Sequence, residues 1–165
     1  MTTKATMKPP VPWSKPMPDA ARAVPSYFPQ VMAWFEGLPQ CRTLGLRHVA
    51  SEAGKVTLEL PFQEALIGNP ETRVVHGGAV TTLIDTASGT SLFTLLPAPE
   101  AIATLDLRID YLRPAKPDAP IFCTAECYRL TEHIAFTRAT AFQDDIAKPV
   151  AYAVATFARG TGKEA

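Results

Sequence analysis

The sequence is poor in several features that mark particular classes of protein. It has only three cysteines, Cys41, Cys123 and Cys127, with no CxxC pair and no histidine nearby at metal-ligand spacing. This argues against a disulfide framework and a structural zinc site, and each cysteine is expected to be a small buried hydrophobe. Basic and acidic residues balance at 16 each, so the chain lacks the basic excess that nucleic acids and anionic membranes attract.

Long apolar runs are also missing. No stretch of 18 apolar residues is present, and prolines interrupt the region that follows Lys4 and Lys8. We therefore expect neither a membrane-spanning helix nor a signal peptide, and the cysteine usage favours the reducing cytoplasm. The sequence has no GxSxG elbow and no glycine-rich phosphate loop, and its three histidines are scattered. A serine hydrolase, a nucleotide-binding loop and a metal site are thus not expected.

What is present indicates one globular domain. Hydrophobic residues make up 47% of the chain and charged residues 19%, which is enough to bury a core without a disulfide or a metal. Seven of the 16 prolines lie within the first 29 residues, and proline interrupts regular structure. We therefore predict a proline-rich arm at residues 1–24, a single domain at 25–160 and a short tail at 161–165.

The periodicity of the hydrophobic residues predicts an α+β domain. A short helix is predicted at 26–36, with Ser26 as its N-cap and Gly37 just past its end. Alternation in residues 101–113 predicts a strand with Thr104 on its polar face and Leu107 on its apolar face. The other predicted elements are strands at 43–50, 55–60, 121–130, 134–142 and 150–157, a loop at 61–75 and a long helix at 77–96. This order suits an antiparallel sheet packed against one face-covering helix.

Asp85 is the most informative residue of the long helix. Aspartate has a poor helix propensity, and no lysine, arginine or glutamate accompanies it between positions 77 and 96, as would be usual on a solvent-facing helix. It belongs to a stripe of small or polar residues: Thr81, Thr82, Asp85, Ser88 and Gly89. This stripe faces either water or a closely packed backbone. The second arrangement would place Asp85 in an interface or a pocket, where a carboxylate can act as a base or a nucleophile.

The tripeptide His76-Gly77-Gly78 begins the same helix. Two glycines leave the backbone amides unobstructed, and the first N–H groups of a helix lie at the positive end of its dipole. Such amides can stabilise the negative charge that develops on a carbonyl oxygen. The tripeptide alone is a weak signal, but an aspartate nine positions after His76 makes it much stronger.

The string VVHGGAVTTLIDTASG, with its HGGxxxxLxD spacing, resembles the hotdog-fold acyl-CoA thioesterases of the phenylacetate-pathway (PaaI) type. The later segment ATLDLRIDYLRPA is similar to that family's strand ending in Tyr-x-x-Pro-Ala. The resemblance covers roughly residues 40–158. It implies a hotdog fold, in which an antiparallel sheet wraps one long central helix and dimers join their sheets edge to edge. It also implies hydrolysis of an acyl-CoA thioester, with no cofactor besides the CoA of the substrate.

The same resemblance implies roles for individual residues. Asp85 matches the catalytic carboxylate, Gly77 the amide that polarises the thioester carbonyl, and His76 the residue that orients this loop. Thr104 falls where relatives have a serine or threonine that assists the attacking water. The residues expected to bind substrate are Asn69, which approximates the asparagine before the motif, together with Arg73, Gly78 and Ser88.

Two departures from the family pattern fall in the loop before His76. Many members read Asn-Pro-x-Gly-x-x-His, whereas GNPETRVVHGG places Asn69 one residue further back. Arg73 stands where the glycine of that pattern often lies, and it faces either solvent or an anionic group of the substrate. The CoA phosphates require basic side chains, for which Arg108, Arg113, Lys116 and Arg138 are candidates that spacing does not separate.

The positions of Gly77 and Asp85 also bear on assembly. They lie eight residues apart, so about 12 Å separates them along the helix axis at ~1.5 Å per residue. A single thioester carbon cannot contact both groups, because each contact needs a distance near ~3 Å. If both act, Gly77 of one subunit shares a site with Asp85 of another. This predicts an obligate homodimer with antiparallel central helices and leaves a dimer of dimers open.

Two other functions remain as alternatives. A CoA-thioester hydratase of the same fold would pair its aspartate with a histidine close downstream, and neither His48 nor His133 has that context. A non-catalytic acyl-CoA-binding protein would need no carboxylate beside the thioester. The sequence does not specify the acyl group, nor whether Asp85 acts as a general base or attacks the thioester to form a mixed anhydride.

Overall fold

The computed structural model describes residues 23–161. The predicted proline-rich arm and the tail therefore lie almost entirely outside the described residues. Of the helices in the described part, none has the length and apolarity to cross a membrane.

The described chain folds into three helices and eight strands. The helices are α1 (Phe28–Gly37), α2 (Pro39–Leu44) and α3 (Gly77–Phe93). The strands are β1 (Arg47–Glu52), β2 (Lys55–Leu60), β3 (Ile67–Asn69), β4 (Val74–Val75), β5 (Ile102–Tyr111), β6 (Ile121–Leu130), β7 (Ile134–Phe142) and β8 (Ala151–Arg159). A short 3₁₀ turn at Glu64–Leu66 precedes β3.

Six strands form one antiparallel sheet in the order β1-β2-β6-β7-β8-β5, and α3 packs against it. The predicted antiparallel sheet with one central helix is therefore confirmed. The sheet can approach α3 closely because the neighbouring strands β7 and β8 present mainly small residues to the core: Ala135, Thr137, Ala139, Ala141, Ala151, Ala153 and Ala155. The facing residues of α3 include the fully buried Leu83, Ile84 and Ala87, so burial of apolar surface holds the two layers together.

The N-terminal region differs from the sequence-based prediction. Ser26 is not an N-cap, because α1 begins at Phe28 with Tyr27 as its N-cap and without a side-chain cap hydrogen bond. Gly37 is the last residue of α1 rather than the residue after it. Instead of a side-chain cap, the hydroxyl of Tyr27 donates to the carbonyl oxygens of Phe93 and Leu96, at 2.9 and 2.8 Å. These bonds tie the start of α1 to the end of α3.

The strand predicted at 43–50 is also partly wrong. Its first residues belong to α2, which begins at Pro39, an imino acid that fits the first turn of a helix. Gly45 ends α2 in the left-handed conformation, with φ of 68°. Strand β1 consequently starts only at Arg47.

Strand β5 departs from simple alternation. Thr104 pairs with Phe157 and Asp106 with Thr156, so Leu105 is an extra residue that forms a β-bulge. Because a bulge shifts the side-chain alternation by one, Thr104 and Leu107 both face α3, and their predicted placement on opposite faces is wrong. Leu105 is left 58% exposed.

Candidate active site

The structure brings Asp85 and Thr104 together. Asp85 lies in the third turn of α3 with its side chain half-buried, and the hydroxyl of Thr104 donates to its Oδ1 atom at 2.9 Å. The contact depends on the bulge at Leu105, which allows Thr104 to face the helix. A carboxylate that accepts a hydroxyl hydrogen bond has one oxygen oriented and the other free to accept a proton.

His76 organises the N-terminus of α3. It is the N-cap, with φ of −60° and ψ of 131°, and its Nδ1 accepts the N–H of Gly78 at 2.9 Å. The N–H of Ala79 donates to the carbonyl oxygen of His76 at 3.0 Å. Two of the first three amides of the helix are thereby satisfied within the chain. The N–H of Gly77 has no protein acceptor within residues 23–161, so it is the amide available to bind an oxyanion.

Tyr111 is a site residue that the sequence analysis did not identify. Its hydroxyl donates to the carbonyl oxygen of Gly77 at 2.8 Å and lies 3.1 Å from the Thr81 hydroxyl. A Cβ atom at position 77 would lie 3.2 Å from this same hydroxyl, which is a tight contact. The sequence signal was the tyrosine of the Tyr-x-x-Pro-Ala segment, but its contact with a residue 34 positions away could not be deduced from spacing.

The hairpin of β3 and β4 supports His76. A Cβ atom at Gly68 would lie 2.8 Å from the Cα of His76, so only glycine fits this close approach. The N–H of His76 also donates to the carbonyl oxygen of Leu66 at 2.7 Å. The Oδ1 atom of Asn69 accepts the N–H groups of Glu71 and Thr72, so it shapes the turn of this hairpin. Its predicted contact with substrate stays a prediction.

Arg73 has its positive charge matched within the chain. Its guanidinium makes two hydrogen bonds to Glu64, at 2.6 and 3.0 Å, and one to Asp118 at 2.6 Å. These bonds raise the pKa of Arg73 and hold the pKa of Glu64 below its ordinary value. The backbone of Arg73 is left-handed, with φ of 57°. A glycine would be unstrained at such a position, and glycine often stands here in the hotdog-fold family that the sequence resembles.

Two other residues predicted to bind substrate are engaged or buried. The N–H of Gly78 already donates a hydrogen bond to the Nδ1 atom of His76. Ser88 is 1% exposed, and its hydroxyl has no partner within the described chain. Gly89, its neighbour on the small-residue stripe, would place a Cβ 3.4 Å from both Ile102 and Phe157. The end of the stripe is therefore covered by the chain's own sheet, and only its first part, around Thr81 and Asp85, is partly exposed.

The cysteines take no part in this arrangement. Cys41, Cys123 and Cys127 are free and buried, as predicted. Burial raises the pKa of each thiol, that of Cys127 to about 12. Raised pKa values leave these groups protonated at neutral pH, so they are not nucleophiles. In the described part of the chain, no three His, Cys, Asp or Glu side chains are arranged to hold a metal ion.

Comparison with known families and structures gives consistent results. The family model for the thioesterase superfamily matches residues 73–150, which include both His76 and Thr104. The crystal structure of a Pseudomonas aeruginosa protein superposes with a TM-score of 0.73 at 46% sequence identity, covering 80% of this chain and 98% of that one. The PaaI protein of the Escherichia coli phenylacetic acid degradation operon superposes with a TM-score of 0.72 at 19% identity, covering 83% and 96%. The last similarity concerns the fold alone.

Two curated relatives are similar in sequence. A Halobacterium salinarum protein that is provisionally named an esterase is 42% identical over 78 residues. This match spans 46% of the present chain and only 52% of that relative, about half of its length. The medium/long-chain acyl-CoA thioesterase YigI of Salmonella typhimurium is 28% identical over 121 residues, which are 66% of this chain and 77% of YigI.

Proposed function

We propose that this chain, which belongs to the thioesterase superfamily and has the hotdog fold, hydrolyses acyl-CoA thioesters to a free acid and coenzyme A. The similarity to YigI supports thioester hydrolysis and makes medium and long aliphatic acyl groups the first substrates to test. The match to the Halobacterium protein, provisionally named an esterase, is in keeping with hydrolysis. Neither relative is similar enough over its whole length to identify the acyl group of the substrate.

The observation that supports this function best is the hydrogen bond from Thr104 to Asp85. Asp85 lies on the same helix as Gly77, whose N–H has no acceptor within residues 23–161. In the proposed reaction, the thioester carbonyl oxygen accepts the Gly77 N–H and gains negative charge as the carbon is attacked. One such donor is worth roughly 3 kcal/mol of transition-state stabilisation. Thr104 orients the Asp85 carboxylate and the attacking water.

Two routes are compatible with this geometry. As a general base, Asp85 takes a proton from water while the water oxygen bonds to the carbonyl carbon. The C–S bond then breaks, and the CoA thiolate takes the proton back from Asp85. As a nucleophile, Asp85 displaces the thiolate directly and forms a mixed anhydride, which water hydrolyses to regenerate the carboxylate. Asp85 is essential in both routes.

The proposed site is shared between two subunits. Gly77 and Asp85 are eight residues apart on one helix, about 12 Å along the axis, so one chain supplies only half of the contacts. Within residues 23–161, strand β5 pairs only with β8, which leaves its other edge available for a second copy. An antiparallel pair of α3 helices would bring Gly77 of one subunit towards Asp85 of its partner.

No cofactor is proposed beyond the CoA of the substrate. The proposed compartment is the cytoplasm, because the three cysteines are free and oxidising compartments favour disulfides.

The experiment that tests this function measures free-thiol release from acyl-CoAs of increasing chain length and from phenylacetyl-CoA. The wild-type protein is compared with Asp85→Asn, which keeps the shape of the side chain. We expect the substitution to lower kcat by about 10²–10⁴-fold, the range typical for loss of a general base. Glu59→Gln removes a carboxylate from the outer face of β2 and serves as the matched control, with unchanged kcat. Binding of acyl-CoA without turnover by the wild-type protein would instead support the non-catalytic alternative.

A further inference from the structure

The peptide groups on both sides of the Gly77 Cα atom are held by hydrogen bonds. In the group that follows Gly77, the carbonyl oxygen accepts the Tyr111 hydroxyl at 2.8 Å. The N–H of this same group, that of Gly78, donates to Nδ1 of His76 at 2.9 Å. In the group that precedes Gly77, the carbonyl oxygen of His76 accepts the N–H of Ala79 at 3.0 Å. The Gly77 N–H is thus the one polar atom of the two groups without a partner within residues 23–161.

This restraint matters because glycine has more backbone freedom than any other residue. A donor stabilises a developing oxyanion best when it is already oriented before the reaction begins. Of the residues that restrain Gly77, His76 and Ala79 are its neighbours in the chain, whereas Tyr111 is 34 positions away. Tyr111 therefore anchors the Gly77 backbone to a different element, strand β5.

Tyr111 can act as an anchor because its own backbone is fixed. It is the last residue of β5, where it pairs with Ala151 in β8. The N–H of the next residue, Leu112, donates to the carbonyl oxygen of Val150 at 2.9 Å. Paired residues project from the same face of a sheet, and Ala151 is fully buried. The Tyr111 side chain therefore projects from the face that α3 covers.

Thr81 adds a second hydroxyl at the same carbonyl oxygen. Its Oγ1 atom donates to the carbonyl oxygen of Gly77 at 3.1 Å and lies 3.1 Å from the Tyr111 hydroxyl. Because the bond from Thr81 stays within one turn of α3, it cannot replace the link to β5. The Tyr111 hydroxyl is consequently the group to remove in a test of this anchor.

We propose that Tyr111 is a positioning residue of the thioesterase reaction, and that its hydroxyl holds the Gly77 backbone so that the Gly77 N–H is oriented before substrate binds. The inference rests on the proposed function, because it takes this N–H as the donor to the thioester carbonyl oxygen. In this role Tyr111 touches no reacting atom. Loss of its hydroxyl weakens stabilisation of the oxyanion and leaves binding of the substrate ground state intact.

The first test is Tyr111→Phe, which removes the hydroxyl and keeps the ring. We expect kcat for acyl-CoA hydrolysis to fall about five- to tenfold with KM within about twofold, the size of effect that one hydrogen bond between uncharged groups produces. Tyr152→Phe is the matched control, since Tyr152 is 48% exposed on the outer face of the sheet, and it should leave both constants unchanged. An unchanged kcat in Tyr111→Phe would overturn the proposal.

A double variant separates this role from a general contribution to the fold. Gly77→Pro has no amide hydrogen at position 77, so the Tyr111 hydroxyl has nothing left to act through. We expect Gly77→Pro/Tyr111→Phe to retain the kcat of Gly77→Pro within about twofold. A further five- to tenfold loss would show that Tyr111 acts by another route and would contradict the assignment.

Backbone dynamics test the anchor independently of turnover. The chain has nine glycines, so selective ¹⁵N-glycine labelling gives few signals, and the Gly77 signal is the one lost in Gly77→Ala. We expect the order parameter of the Gly77 amide to fall from about 0.85 towards about 0.6 in Tyr111→Phe and to stay unchanged in Tyr152→Phe. An equally rigid amide in Tyr111→Phe would refute the inference. Absence of hydrolysis by the wild-type protein, with the amide still loosened in Tyr111→Phe, would overturn the proposed function alone.

Discussion

At the scale of single residues, the chemistry depends on how each polar group is oriented. The Asp85 carboxylate is oriented by one hydroxyl, that of Thr104, which reaches it only because Leu105 is an inserted residue in β5. The sequence pattern placed Thr104 on the wrong face, and the role that the resemblance implied for it, assisting the attacking water, stays a prediction. This bulge requires no characteristic residue type that a sequence pattern could detect. Its position becomes visible only in the pairing of β5 with β8.

Replacing Thr104 tests the importance of this orientation. Thr104→Val keeps the shape but removes the hydroxyl, and we expect kcat to fall about tenfold or more, since hydrogen bonds to charged groups contribute roughly 1.5–3 kcal/mol. Thr104→Ser retains the hydroxyl and should keep most of the activity. Thiol-release kinetics measure both. Equal activity of the valine and serine variants would show that Thr104 is a structural residue of the strand.

At the scale of elements, the N-terminus of α3 is the best-defined part of the site. The Nδ1 atom of His76 accepts a hydrogen bond from the N–H of Gly78, and a Cβ at Gly78 would lie 2.9 Å from this same atom. The two glycines therefore have different purposes. Gly78 makes room for the capping imidazole, whereas Gly77 leaves its own amide free and makes room for the Tyr111 hydroxyl.

The Gly77 amide can be removed without disturbing the start of the helix. Proline is well accepted at the first helical position, and the backbone of His76, with ψ of 131°, suits a residue that precedes proline. We expect Gly77→Pro to lower kcat about 10²–10³-fold, the usual effect of losing one oxyanion donor.

Gly77→Ala is the matched control, since it introduces the same Cβ atom near Tyr111 but keeps the N–H. It should retain far more activity than Gly77→Pro in steady-state kinetics, with circular dichroism verifying that both variants are folded. If alanine and proline reduce kcat equally, steric contact with Tyr111 rather than the amide determines the effect.

The sequence predicted some elements much better than others. The strands at 121–130 and 134–142 have the predicted bounds, with only residues 131–133 between them, even though Tyr128 is an extra residue that interrupts the alternation of β6. The prediction failed at α2, where a proline-initiated helix of six residues is too short to show a period. It also read residues 61–75 as a plain loop, although they contain the hairpin of β3 and β4 that supports His76. Short elements held by distant contacts leave little local signal.

At the scale of the whole molecule, we propose that each chain supplies half of two sites. The sequence alone predicted this from the separation of Gly77 and Asp85, because helix geometry fixes that separation regardless of fold. It could not predict the contact of Tyr111 with Gly77. That contact depends on how β5 packs beside α3.

Mixing two inactive variants tests whether sites are shared. A subunit carrying Gly77→Pro retains Asp85, and a subunit carrying Asp85→Asn retains Gly77. If one site takes each group from a different subunit, a mixed dimer has one intact site out of two. Random exchange between equal amounts should then restore about a quarter of wild-type activity, since half of the dimers are mixed. Co-purification through two affinity tags provides the mixed dimers. Absence of any recovery in them would place both groups in a single subunit.

The two edges of the sheet are unequal, and this has a consequence for concentrated protein. On one side, β1 is interrupted by a bulge at Val49, and Glu36 already accepts the backbone N–H of His48 at 2.7 Å. On the other side, β5 has an edge that nothing in residues 23–161 covers. Two copies joined through β5 would present only the obstructed β1 edges at their ends. Strand-by-strand growth would stop at that pair, so the fold itself limits filament formation.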